Sequence, residues 1–361
     1  MTDLTMALSI AGGVVLAAIV AHGAWTARKA GPRHVAPPDA ARAEGVEPLL
    51  DAAGGDAVAG GAVRSEPGFV AAGAADALPD AGRRAPPRID ALIDAIATLR
   101  LDAPVSAEAA LTALPAVRRA GGKPLLIEGF DAVRGEWEPP QAAAAGQRYA
   151  EFQAAVQMAN RTGALNEIEY SEFVQKVQAF AEAVGAMVEL PDMRDVVTRA
   201  RELDAFAVQH DAQLAVHLRA RGTGWTPGFI QQHASRHGFV AGAVPGRLVL
   251  PSPDDGAPPV LVLTYDAKAA LADDPAQAVV RDATLSFDVP QTALAAEPFA
   301  AWQAAAQALA LGMEANVVDD NGQPLSAEGF ATIGGELGQL YTALESRDAA
   351  AGSSVARRLF S

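Results

Sequence analysis

From residue 89 onward one order of apolar patterns is written twice, and that repetition leaves the chain few architectures to choose from. The first copy opens with an apolar stretch over 93–100 that reads as a strand. A helix follows from 107 to about 120, opened by Ser106 and stopped by Gly121-Gly122. Strands are expected over 125–128 and 149–158. A helix over 169–184 places Phe173, Val177, Phe180 and Val184 on one face. Gly185 stops it, Met187-Val188 lies in a short strand, and Asp192 caps a last helix to about Val208.

The second copy keeps the order. A strand over 214–219 leads to Thr226-Pro227, an N-cap residue and a first-turn proline, and the helix they open ends at His237-Gly238. Strands are expected over 247–250, 260–265 and 283–289, the last alternating strictly, so that one face is buried and the other wet. A helix over 297–311 carries Phe299, Trp302, Ala306 and Leu309. Gly312-Met313 leads to a strand at Val317-Val318, and Ser326 caps a final helix through Phe330, Ile333, Leu337 and Leu340-Tyr341. Strands that follow one another pair antiparallel, with the helices on one face. The expected class is therefore α+β, with mostly antiparallel sheets, helices on one side and the other sheet face open. Residues 88–206 form the first unit, 207–346 the second and 347–361 a flexible tail.

Ahead of the repeat stands a different kind of segment. Residues 4–24 are almost wholly apolar, with no charge between Asp3 and Arg28. At ~1.5 Å per residue such a helix crosses a ~30 Å hydrocarbon core. Trp25, Arg28 and Lys29 mark a cytoplasmic flank. A cleaved signal peptide would need basic residues before the run, whereas Asp3 precedes it. Residues 1–29 are thus expected to anchor the chain in a bacterial inner membrane, N-terminus outward, and Gly12-Gly13 leaves self-association open. Residues 30–87, rich in Ala, Gly and Pro, read as a disordered linker with a reach of roughly 40 Å.

Composition narrows the chemistry. The net charge of −15 disfavours nucleic acid, and no basic patch with interleaved aromatics offsets it. With no cysteine, disulfides, thiolate metal sites and cysteine nucleophiles are excluded. Gly222-Thr223-Gly224 with Gly228 stands where a dinucleotide-binding turn would, but the third glycine is one place late and Pro227 occupies the helix start, so a plain strand–helix turn fits better. His233 and His237 have ligand spacing, but the glutamate of a zincin helix is missing and Arg236 would oppose a cation. His217 is expected on the open sheet face. Gly121-Gly122-Lys123 lacks the first glycine and the hydroxyl of a P-loop. Ser106, Ser171 and Ser326 read as helix caps rather than nucleophiles. No catalytic residue, cofactor or metal is expected.

One set of parts, in order, carries a resemblance. The flank His22-Gly23-Ala24-Trp25-Thr26-Ala27-Arg28-Lys29 is followed by a Pro/Ala linker. The second unit then brings Arg236-His237-Gly238-Phe239, residues 284–289 before Pro290, the helix to Gly312, Val317-Val318-Asp319-Asp320 and Leu325-Ser326-Ala327. The chain resembles the ZipA family of bacterial cell-division proteins, which bind FtsZ, with the C-terminal domain duplicated. The resemblance implies a split β-α-β sheet whose open face takes the C-terminal peptide of FtsZ, and it puts Val249 and Tyr265 at partner-binding positions. Ser286 stands where a large aromatic is expected, Arg247 near a position usually apolar, and Ala24 where a larger residue is common. The implied function is tethering FtsZ polymers to the membrane. The alternatives are a membrane-anchored scaffold for another division or envelope protein and a tethered nucleotide-dependent enzyme. The discriminating feature is which sheet face, on which unit, carries apolar surface.

Overall fold

Alternation along the strands decides which way each sheet faces. The structure, a computed structural model, describes residues 88–274 and 276–361. The expected anchor (1–29) and linker (30–87) lie outside them, and among the described residues no helix is long and apolar enough to cross a membrane. The described residues all belong to one compact unit.

The first sheet begins with β1 (Asp94–Ser106), in which Ala95, Ala97 and Leu99 are buried on one side. A short helix, α1 (Ala107–Ala113), leads to β2 (Arg119–Ala120), β3 (Lys123–Asp131), β4 (Glu136–Glu138) and β5 (Arg148–Gln157). A small hairpin, β6 (Ala159–Asn160) with β7 (Gly163–Ala164), precedes α2 (Glu167–Val184), β8 (Ala186–Glu189) and α3 (Met193–His210). The strand order is β2-β3-β5-β1-β8, with β4 paired to β3. β1 lies antiparallel to both β5 and β8. β5 and β8 therefore run parallel, joined by α2 and split by β1. Tyr170, Phe173, Val177 and Phe180 of α2 pack on Leu99, Leu125, Phe152 and Val156. Each such side chain contributes ~1.5–3 kcal/mol by leaving water.

Two local readings change here. The helix expected to reach residue 120 stops at Ala113. Pro115 lacks the N–H a helix needs and pushes the residue before it into extended backbone; Leu114 has ψ 140°. Ser171 is not a cap: it sits inside α2 and donates to the Glu167 carbonyl. The cap is Asn166, in a reciprocal box with Glu169 that satisfies two otherwise orphaned N–H groups.

The second sheet repeats the plan. β9 (Gln213–Ala220) is followed by α4 (Pro227–Ser235), β10 (Val240–Ala241), β11 (Arg247–Leu250), β12 (Leu261–Tyr265), a single turn α5 (Ala267–Ala270) and β13 (Asp282–Asp288). Then come α6 (Pro298–Gly312), β14 (Ala315–Val318) and α7 (Ala327–Glu345). The order is β10-β11-β12-β13-β9-β14, so β9 splits β13 from β14 as β1 splits β5 from β8. Ile230 of α4, Trp302 and Leu309 of α6, and Phe330 and Leu337 of α7 share one core with Leu218, Leu261, Leu263, Leu285 and Phe287. Trp302 Nε1 donates to the Leu285 carbonyl at 2.9 Å, so the largest buried ring has its polar atom satisfied. The fold is mixed α+β with antiparallel sheets.

The C-terminus differs from the flexible tail expected over 347–361. Residues Ser354–Leu359 form α8. Val355, Leu359 and Phe360 are buried against Ile93, Ala159, Ala207 and Leu344, drawing on both halves of the repeat. Arg358 pairs with the fully buried carboxylate of Asp94 at 2.5 Å. The Phe360 carbonyl accepts from Gln291 Nε2 at 2.6 Å, and the Ser361 carbonyl from the Arg161 N–H at 3.2 Å. Three apolar residues in so short a stretch show no period, which is why the pattern alone reads as a tail.

Candidate binding face

On the second sheet, α4, α6 and α7 cover the side that carries Leu261 and Leu263. The alternate residues form the other side, and the register sets them in rows across the strands. Val249, Val262, Ser286 and Ala215 are successive cross-strand partners in one row. Arg247, Thr264, Thr284 and His217 form the next, and Val318 extends it on β14. Asp282, Arg219 and Asn316 form a third. Adjacent rows are two residues apart along each strand, about 7 Å. Ala215, Val262, Ser286, Arg247, Thr264 and Thr284 line a shallow depression of about 370 Å³.

The charges of this face are mostly paired. The His217 ring nitrogens lie 3.1 Å from Asp282 Oδ1 and 3.0 Å from Asp320 Oδ1, and Nδ1 is also 3.2 Å from Thr284 Oγ1. Arg219 Nε reaches the other Asp282 oxygen at 3.4 Å. His217 thus faces the open side, fastening β9 to β13 and to the turn after β14. At the far end of β13, burial raises the carboxyl of Asp288 above the usual carboxylate range, against the opposing pull of Arg161, which pairs with it.

The two residues singled out from the sequence do not share this face. Val249 lies on it, partly buried, beside Val262. Tyr265 points the other way: it has the parity of Leu261 and Leu263, is 8% exposed, and its hydroxyl accepts from Gln231 Nε2 of α4 at 3.1 Å. Strict period-two alternation puts any residue an odd number of places from Val262 on the helix side. Val262 and Thr264 occupy the positions the sequence reading missed, and counting parity from Val249 through the β11–β12 register would have found them.

The other motifs resolve into local structure. Gly224 has φ +91°, and a Cβ there would come within 2.8 Å of the Val280 carbonyl oxygen, so the glycine serves close packing. Thr226 closes the N-terminus of α4 by accepting from the Phe229 N–H. The helix ends at Ser235, so His237 lies beyond it while His233 stacks on Phe229 at 4.2 Å. Burial, helped by Arg236 and His237, lowers the pKa of His233. Among the described residues no group of three or more His, Cys, Asp or Glu is placed to hold a metal. The N–H groups of Gly121 and Gly122 donate to Glu172 and Glu169. Lys123, 1% exposed, gives its ammonium protons to Asn160 Oδ1, Thr162 Oγ1 and the Gly163 carbonyl. Burial lowers its pKa.

The first sheet also has a side away from its helices. There Trp137 and Phe130 pair at 5.3 Å between centroids, Glu151 and Arg100 continue the row, and Met187 ends it at 69% exposure. No protein-family model matches the chain, and no curated protein matches it.

Proposed function

We propose that the chain is a non-catalytic adaptor of the ZipA kind, anchored in the bacterial inner membrane through residues 4–24, which holds FtsZ there by binding its C-terminal peptide on the open face of the second sheet. The observation that carries this reading is the sheet face that no described helix covers, on which Val262, with Val249 as its cross-strand neighbour, lines a shallow depression. A shallow face suits a weakly held peptide, and weak grip multiplied over the many tails of a polymer gives firm attachment. Partner, location and lack of catalysis all belong to the proposal. The split β-α-β plan of the second sheet supports it. Ser286, small where an aromatic anchor would stand, weighs against tight binding.

A second reading, a scaffold for another division or envelope protein, is favoured by Trp137, Phe130 and Met187 on the first sheet. The experiment sets the two faces against each other. The FtsZ C-terminal peptide is titrated against the full chain in mild detergent, alongside Val262→Asp and Trp137→Ala. Under the first reading Val262→Asp weakens binding about tenfold or more, because it buries a charge without a partner, and Trp137→Ala leaves binding unchanged. The reverse pattern moves the site to the first sheet. No binding at micromolar peptide overturns direct tethering.

A further inference from the structure

We propose that Arg247 makes the open face of the second sheet selective for a side-chain carboxylate, so that its ligand is an extended segment carrying Asp or Glu two residues from a large apolar side chain. The inference rests on the proposed binding face and names the chemistry of what lies on it. Charge sets it out first. His217, Arg219, Asp282 and Asp320 engage one another. Arg247 is exposed, and among the described residues its guanidinium has no carboxylate or hydrogen-bond partner. It lines the depression as its one charged residue. Thr264, its cross-strand neighbour, offers a hydroxyl that is likewise unengaged among the described residues. A guanidinium fork beside a hydroxyl matches the two oxygens of a carboxylate.

Spacing fixes the second half. The row of Arg247 and Thr264 lies about 7 Å from the row of Val249 and Val262, the distance between side chains two apart in an extended segment. A segment laid along β11 and β12 sets its apolar side chain on the valines and its acid on Arg247. Farther across the sheet the same acid would meet Asp282 and Asp320. The acid is therefore placed over β11 and β12, away from β14.

The test uses two acetylated, C-terminally amidated heptapeptides that differ only in Leu-Ser-Glu against Leu-Ser-Gln. They are titrated against the full chain in mild detergent, following the labelled methyl groups of Val249 and Val262 by NMR. A third peptide, the glutamine twin with a free C-terminal carboxylate, separates that source of negative charge from the side chain. The glutamate peptide is expected to bind about tenfold tighter than its twin, the scale of a charge-assisted hydrogen bond. Arg247→Gln should abolish the difference, the glutamate peptide losing its advantage over the glutamine twin measured on the same variant. Equal binding of the twins to the unmodified chain, a preference that survives Arg247→Gln, or tighter binding of the free-carboxylate peptide than of the glutamate peptide overturns the assignment. If both twins shift the valine methyls equally, only the role of Arg247 falls; if neither shifts them, the binding face falls with it.

Discussion

The two sheets share a plan and differ in what they leave uncovered. In each, one strand splits a β-α-β crossover and alternate residues bury against helices on one side. On the first sheet the remaining side carries an aromatic pair and acids that other segments reach. Glu128 accepts from the Ile89 N–H and the Gln153 amide, and Asp94 is claimed by Arg358. On the second it carries hydroxyls, several valines and a histidine held between aspartates. The core side has to match its helices in volume and polarity, so its alternation is fixed by packing. The outer side has no such obligation. One plan can therefore present two surfaces, and a partner is to be sought on the side where the copies diverge.

The sharpest way to break the comparison is to ask whether the copies stand alone. Phe360 is fully buried in a cluster that takes Ile93 and Ala159 from the first half and Leu344 from the second. Truncating a buried phenylalanine typically costs about 3–5 kcal/mol. For Phe360→Ala we expect a loss of that size, with a single calorimetric transition giving way to two as the halves uncouple. A variant that melts in one transition within about 1 kcal/mol of the parent would show that the halves cohere without the C-terminal helix.

A smaller change touches the first half alone. Lys123 ties β3 to the turn of the β6–β7 hairpin. Lys123→Met leaves the Gly163 carbonyl without its donor, and a stability loss of about 1–3 kcal/mol is expected at pH 7. The pH dependence identifies the cause. Burial lowers the folded-state pKa of Lys123, whereas in the unfolded chain a lysine titrates near its ordinary value of about 10.4. Between the lowered value and the ordinary one the unfolded chain holds more protons, so this residue's contribution to stability rises with pH across that window. The parent should gain on Lys123→Met in denaturant midpoint as pH is raised from 7 toward 10. A gap that stays constant or narrows would mean that the ammonium is not held out of water.

The lysine also marks where the sequence stops being legible. The order of elements could be read because caps, glycine stops and period-two runs are local: 247–250 coincides with β11, and Ser106, Asp192, Thr226 and Ser326 all cap helices. Pro115 was equally local: its missing N–H and its push of Leu114 into extended backbone both act on adjacent residues. Burial of Lys123 and Phe360 was not local. Each depends on partners far along the chain: Asn160 and Gly163 for the lysine, Ile93 and Leu344 for the phenylalanine. Of the binding face, Val249 was placed on the proper side by resemblance. Arg247 follows from Val249 by parity within β11, whereas Val262 needed the register between β11 and β12, which no single strand contains.

Tyr265 gives the gentlest test and bears on the same register. Its ring belongs to the core of the second sheet, and among the described residues its hydroxyl meets only Gln231 of α4. Tyr265→Phe keeps the ring and removes one side-chain hydrogen bond, so stability should fall by about 1 kcal/mol. Affinity for any peptide on the open face should not change, because the hydroxyl lies on the opposite side of a strand whose outer residues are Val262 and Thr264. The pairing of these two readouts matters more than either alone. A variant that keeps its stability but binds several-fold more weakly would place Tyr265 on the partner's side. The parity that separates it from Val249 would then be wrong, and the whole row arrangement of the face would have to shift by one residue.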